Sequence, residues 1–455
     1  MGNSAADVRG GRLSPADYGS NFDDAKPPLD AKQALIEASR CYFCYDAPCI
    51  QACPTGIDIP NFIRKITTGN LKGSAMDILG ENIMGGACAR VCPTEVLCEE
   101  ACVRNDSEHK PVRIGALQRH ATDWLFTRKM QPFERKASTG KRVAVVGGGP
   151  AGLSCAHRLA MLGHDVTVLE ANAKLGGLNE YGIAAYKVPH GFAGREVDFI
   201  LSIGGIAAQC GKALGRDFTL ADLRKQYDAV FLGMGLSGVN ALQVEGEDLA
   251  GVEDAVAYIA KLRQAKDLGA LPVGRKVVVI GGGNTAIDIA VQSKRLGAED
   301  VTIVYRRGPG QMSATPHEQE FAQTNGVRIK HWARPLRAVG WAGNGAKPRL
   351  KEVEFEYTQL DDKNRLMGTG DRFSLLADTL FKAIGQVFVP DPLQAGSNEM
   401  LQLKDGRIAV NDDRQTSLSN VFAGGDCVAG GQDLTVAAVQ DGKVAARAID
   451  RMLRG

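Results

Sequence analysis

Two kinds of apolar pattern divide this 455-residue chain. Between residues 29 and 130 apolar positions recur at helical spacing: 29–39 predicts a short helix, 57–83 carries the same period, and 103–130 continues it. Residues 131–141 are polar and read as a flexible linker. Beyond them the apolar runs become short, unbroken and rich in Val and Ile, the pattern of strands buried on both faces. Such runs occupy 143–146, 165–169, 228–235, 277–280, 301–305, 378–385 and 421–426. Helical pattern follows the first and the fourth, and Thr435 opens a last amphipathic helix. Residues 1–30, polar and proline-bearing, predict an arm lying against another part of the chain.

The pattern repeats itself. Val143-Ala144-Val145-Val146 runs into Gly147-Gly148-Gly149-Pro150-Ala151-Gly152, and Val277-Val278-Val279-Ile280 runs into Gly281-Gly282-Gly283-Asn284-Thr285-Ala286, 134 residues later. Gly147, Gly149 and Gly152 form G-x-G-x-x-G. The first permits the tight turn, the second admits a pyrophosphate to the backbone amides, and the third lets helix and strand touch. Pro150 and Ala151 open the helix, and Glu170, ending the next strand, is placed to accept from a ribose hydroxyl. In the second copy Gly281 and Gly283 keep their places, Asn284 and Thr285 open the helix, and Ala286 replaces the third glycine. The acid is gone: Tyr305 stands there, followed by Arg306 and Arg307. Guanidinium groups without a carboxylate suit a ribose 2′-phosphate; the alternative is two arginines facing water. Gly177, in Leu175-Gly176-Gly177, joins the first nucleotide site. The 378–385 run mirrors 228–235, so the chain leaves and re-enters the first domain through matching strands. Gly425 and Asp426 then follow a strand, where an Asp commonly holds the ribityl chain of FAD. The helix amino end at Thr435 and Val436 would stabilise negative charge on a reduced flavin.

Composition adds exclusions. Lys plus Arg is 54 and Asp plus Glu 52, so no basic excess points to nucleic acid or to an anionic surface. No apolar run reaches the roughly 18 residues of a membrane span, and the N-terminus lacks a signal peptide's apolar core. Met1-Gly2-Asn3-Ser4-Ala5-Ala6 begins like a myristoylation signal but has Ala6 where Ser or Thr is wanted. A cytoplasmic location is expected.

Eight of the eleven cysteines fall between Cys41 and Cys102, which in a reducing compartment favours metal over disulfides. The first group is Cys41, Cys44, Cys49 and Cys53-Pro54; the second is Cys88, Cys92-Pro93, Cys98 and Cys102. Two groups of four thiols, each with a Cys-Pro, follow two-cluster ferredoxin logic, in which the last cysteine of a run serves the other cluster. Zinc is the rival, although the second group lacks a C-x2-C. Spacing alone makes Cys88 the eighth ligand.

Residues 140–455 resemble the two-nucleotide flavin reductases that include adrenodoxin reductase and the glutamate synthase small subunit. The cysteine frame is shared with the latter and with dihydropyrimidine dehydrogenase. Cys41-Tyr42-Phe43-Cys44-Tyr45-Asp46-Ala47-Pro48-Cys49, Cys53-Pro54-Thr55-Gly56-Ile57-Asp58-Ile59-Pro60, Phe22-Asp23-Asp24-Ala25-Lys26-Pro27-Pro28 and Gln440-Asp441-Gly442-Lys443 resemble the dehydrogenase. The resemblance implies one 4Fe-4S cluster on Cys41, Cys44, Cys49 and Cys102, and another on Cys53, Cys92, Cys98 and Gln118, with Cys88 spare. It implies an α/β flavoprotein of two Rossmann-like dinucleotide-binding domains behind an N-terminal α-helical iron–sulfur domain. The expected boundaries are 1–138 for the clusters, 139–250 and 378–455 for FAD, and 251–377 for NAD(P)H. The chain resembles the separate small subunit of a two-subunit bacterial enzyme. NADH or NADPH would reduce FAD, and electrons would pass through both clusters to an FMN-containing large subunit that reduces uracil or thymine. A glutamate synthase small subunit would use the same parts for a different partner. A self-sufficient reductase would have no use for the clusters, and a nucleic-acid-binding cluster protein would need a basic surface. No catalytic side chain is expected, because the cofactors carry the chemistry. Lys187 could reach the flavin or face water.

Overall fold

A computed structural model describes residues 7–8, 12–341, 348–394 and 400–455. The myristoylation-like start at 1–6 lies outside the described residues. The chain forms two units. One comprises Lys26–Glu180, His190–Ser237 and Phe388–Gly455; the other comprises residues up to Ala25, Tyr181–Pro189 and Gly238–Val387.

The first unit begins with the cysteine-bearing helices: α1 (Ala31–Ala38), α2 (Ile59–Thr67), α3 (Leu71–Glu81), α4 (Gly85–Val91) and α5 (Ile114–Thr127). Asp30, Asp58 and Asn70 each cap the helix after them by accepting a first-turn amide. The single helical run over 57–83 is therefore two helices, parted at Gly69 with φ +75°. Lys65 holds them together through Asp77 at 2.7 Å. Phe62, Ile63, Ile78, Leu117 and Ala121 are wholly buried between the helices. The expected flexible linker is instead anchored. Phe133 packs edge-on against His157, centroids 5.7 Å apart. Gln131 donates to the Phe199 carbonyl and the Ser202 hydroxyl, and Arg135 meets Asp165 at 2.5 Å. One partly buried aromatic and three polar anchors outweigh a polar composition.

The first nucleotide domain follows: β1 (Arg142–Val146), α6 (Pro150–Met161), β2 (Asp165–Glu170), α7 (Phe192–Leu201), β3 (Ile206–Cys210) and β4 (Ala229–Leu232). In the second unit come β5 (Val252–Asp254), β6 (Lys276–Ile280), α8 (Asn284–Arg295), β7 (Asp300–Val304) and β8 (Arg328–Lys330). An antiparallel ribbon of β9 (Ala333–Trp341), β10 (Arg349–Leu360) and β11 (Leu366–Leu376) follows, then β12 (Thr379–Lys382). The chain returns to the first unit for β13 (Val421–Ala423) and α9 (Thr435–Arg454).

Both large sheets are parallel, with strand orders β13-β4-β1-β2-β3 and β8-β7-β6-β12-β5. The repeat seen in the sequence is a repeat of structure: Arg142 lies beside Asp165 as Lys276 lies beside Asp300. It also corrects the expected re-entry point. Residues 378–385 mirror 228–235 because β12 does for β6 what β4 does for β1. That run completes the second sheet, and the chain goes back only after Val387. The arm likewise belongs to the second unit, not to the cysteine domain. Asp7–Val8 pairs with Val273–Gly274, Arg12 meets Glu299 at 2.5 Å, and Asn21 donates to the Arg295 carbonyl. Tyr18 and Phe22 enter that unit's core. Among the described residues no helix is long and apolar enough to cross a membrane.

Candidate functional site

The first glycine turn lies between β1 and α6. A Cβ on Gly152 would stand 1.9 Å from the Gly147 carbonyl oxygen, so only glycine lets the helix lie this close to the turn. Gly149 differs: its nearest neighbour would be the Gly177 Cα at 3.7 Å, which leaves one face of the turn free. Pro150 occupies the first helical turn, where a missing amide hydrogen costs nothing. Glu170, buried, does not wait idle for a ribose. Its Oε2 accepts the Gly148 amide at 2.7 Å, and its Oε1 accepts both Asn172 nitrogens at 2.8 Å.

Asp426 follows β13 through Gly425, whose φ is +86°. Burial first, and then Asp433, raises its pKa to about 6. Asp441 of α9 braces this turn by accepting the Gly425 amide at 2.9 Å while Arg414 holds its other oxygen. Thr435 donates to Asn179 Oδ1 at 2.9 Å, tying the start of α9 to the segment after Gly177. Neither Asn179 nor Asp441 is marked by a glycine motif; the one local signal for Asp441 is the run Gln440-Asp441-Gly442-Lys443.

In the second unit, a Cβ on Gly281 would stand 2.1 Å from the Ala383 carbonyl, while Gly283 has only Ser313 Oγ near, at 3.1 Å. Asn284 and Thr285 open α8. Tyr305 donates to the Gln311 carbonyl at 2.6 Å, with its ring against Gly282. Arg306 is exposed and Arg307 half-buried with an unpartnered Nε. Among the described residues neither makes an ion pair. Lys187 lies in this unit, half-buried between Asp288 at 2.7 Å and Glu318 at 2.8 Å. Both readings of it, flavin contact and surface lysine, give way to a structural ion triad.

The eight clustered cysteines meet in two pockets. Cys41, Cys44, Cys49 and Cys102 line one, walled by Ile59, Ile63 and Val112. Cys53, Cys88, Cys92 and Cys98 line the other, together with Gln118 and Val436. Cys102 thus joins the first three across 52 intervening residues, and Cys53 leaves its own run for the second set. Burial, then neighbouring thiols, pushes the Cys49 pKa up to about 12 and raises those of Cys92 and Cys98 further. Among the described residues no three His, Cys, Asp or Glu side chains converge as ligands of a single ion. The pockets bring both candidates for the eighth ligand together: Cys88 is buried, and Gln118 donates through Nε2 to the Gly85 carbonyl at 2.7 Å. Val436, expected at the flavin, also forms a wall of the second thiol pocket.

The pyridine nucleotide-disulphide oxidoreductase family model matches residues 141–442. The chain belongs to this family. It is an oxidoreductase. Residues 19–130 match the model for dihydropyrimidine dehydrogenase domain II, 4Fe-4S cluster. The "NAD-dependent dihydropyrimidine dehydrogenase subunit PreT" of Salmonella typhimurium is 34% identical over 95% of this chain and 97% of its own. The "Glutamate synthase [NADPH] small chain" of Escherichia coli is also 34% identical, over 94% of this chain and 93% of its own. Among solved structures, Mycobacterium tuberculosis FprA in complex with NADPH covers 69% of this chain and 84% of its own, with a TM-score of 0.55 and 20% identity. That last likeness shows the two-nucleotide fold. The cofactor classes expected from the sequence (FAD, a nicotinamide nucleotide and 4Fe-4S clusters) are those of this family and its cluster domain.

Proposed function

We propose that this chain is the electron-input subunit of an NAD-type dihydropyrimidine dehydrogenase. It oxidises NAD(P)H on FAD and sends electrons through two 4Fe-4S clusters to an FMN-containing partner that reduces uracil or thymine. One observation carries the reading: the second thiol pocket shares Val436 with the start of α9, so the cysteine domain opens where the flavin domain presents a helix amino end.

Residues take roles as follows. Gly147, Gly149, Pro150, Ala151, Gly152 and Gly177 leave room and amides for the FAD pyrophosphate, with Glu170 holding the turn open. Gly425 and Asp426 take the ribityl chain, and Thr435 and Val436 face the ring with positive partial charge. Gly281, Gly283, Asn284 and Thr285 take the nicotinamide dinucleotide, with Arg306 and Arg307 at its ribose. Cys41, Cys44, Cys49 and Cys102 hold one cluster; Cys53, Cys92, Cys98 and Gln118 hold the other. The Gly85 carbonyl fixes the Gln118 amide nitrogen, which leaves its oxygen for iron. Bound flavin supplies hydride uptake and one-electron release, and bound clusters carry single electrons. The domain limits 1–138, 139–250, 251–377 and 378–455 are adjusted to the units described above. Eight cysteines gathered for metal rather than joined as disulfides fit a cytoplasmic setting.

A glutamate synthase small subunit is the second reading, favoured by an equal 34% identity. The test is reconstitution. Anaerobically purified chain carries about eight irons and one FAD, and oxidises NAD(P)H with ferricyanide but leaves uracil untouched. A pyrimidine-reducing partner restores uracil reduction, and Cys49→Ser abolishes it while flavin reduction persists. Coupling only to a glutamate-forming partner gives the second reading, and zinc in place of iron removes both.

A further inference from the structure

Val436 and Lys443 lie two turns apart on one face of α9. Val436 lines the pocket of Cys53, Cys92 and Cys98; Lys443 reaches Thr55, next to Pro54 of that lining. The Lys443 side chain is 4% exposed, and its ammonium is fully spent. It donates to the Thr55 carbonyl at 2.7 Å, to the Glu81 carbonyl at 3.2 Å and to Glu81 Oε2 at 2.7 Å. Thr55, itself buried, sets its hydroxyl 3.3 Å from the Cys53 sulfur. Arg158 of α6 donates to the Gly80 carbonyl, so two cations from the flavin domain sit at the last carbonyls of α3, the end that favours positive charge. A methionine would fill the space of Lys443 without the cost of burying a charge. Docking alone therefore does not explain an ammonium here.

We propose that Lys443 is a positioning residue for the second thiol set: it fixes Thr55 so that the hydroxyl donates to the Cys53 sulfur, and it raises the reduction potential of the group held there. Hydrogen bonds to ligand sulfur and positive charge nearby both favour the reduced, more negative state. The inference rests on Cys53, Cys92 and Cys98 holding a cluster, as proposed above. The three residues around it share one logic: Asp441 braces the Gly425 turn, Gly442 lets α9 touch α6, and Lys443 reaches the cysteine domain. A Cβ on Gly442 would stand 2.1 Å from the Ala151 carbonyl.

The experiment is a redox titration followed by electron paramagnetic resonance on the full chain loaded with FAD and iron. Lys443→Met and Thr55→Val should each move one cluster midpoint to more negative potential, leaving the other cluster and flavin reduction by NAD(P)H in place. A tenfold loss in the reduction equilibrium corresponds to about 59 mV for one electron. Lys443→Arg and Thr55→Ser should stay near wild type. If Lys443→Met does not retain iron, Thr55→Val decides, since it keeps the ammonium and the volume. An unshifted midpoint in iron-replete Thr55→Val overturns the proposal. Wild-type chain without iron overturns the functional reading instead.

Discussion

The Gly148 amide donates to Glu170 Oε2 at 2.7 Å, and this contact makes the acid at the end of β2 part of the glycine turn itself. With Asn172 occupying Oε1, Glu170→Ala strips three donors of their acceptor. Hydrogen bonds to a charged group are worth about 1.5–3 kcal/mol each. The variant should lose FAD on gel filtration and melt well below wild type. Full flavin retention would show that Glu170 is dispensable to the turn.

The eighth cluster ligand is decided by a pair of substitutions. Gln118→Ala should cost the second cluster or convert it, while Cys88→Ala should leave about eight irons and both resonance signals. The reverse outcome assigns Cys88 to the iron, as spacing alone would have it.

How much of this was legible depends on whether a feature is local. The glycine turns, their strands and the cysteine groups are, because each is set by neighbours within a few residues. The partition of thiols into two pockets was legible only through the two-cluster spacing rule, by which the last cysteine of each run serves the other set, and Cys102 and Cys53 do change company in this way. The allegiance of β12 was not legible: residues 378–385 read as a copy of 228–235, but likeness of pattern cannot say which sheet a strand completes. Lys187 illustrates the same gap, since Asp288 and Glu318 lie more than 100 positions away. The β9–β11 ribbon was missed because its outward positions are polar and its register carries bulges.

Cofactor preference turns on Arg306 and Arg307. Neutralising both should raise the KM for NADPH at least about tenfold, the scale of one lost charge-assisted contact, and leave that for NADH nearly unchanged. A wild-type preference for NADH would remove the phosphate reading; the relatives are named for NAD in one case and NADPH in the other.

Glu196 of α7 should make stability depend on pH. It is wholly buried, and its Oε1 accepts the Ala87 amide at 2.9 Å at the start of α4. Burial raises its pKa from 4.5 to about 7, against the Ala87 amide and Arg90, which lower it; Asp123 adds to the rise. The sign follows from proton counts. Between these pH values the folded chain keeps a proton that the unfolded chain has released, so stability falls as pH rises from 4.5 to 7. The loss is complete above the folded pKa and amounts to about 3 kcal/mol at most. Glu196→Gln keeps an acceptor for Ala87 and carries no charge. Its melting temperature should therefore change less than that of wild type between pH 5 and 8, and exceed it at pH 8. Parallel melting curves for the two proteins across that range would show that Glu196 is ionised in the folded chain throughout.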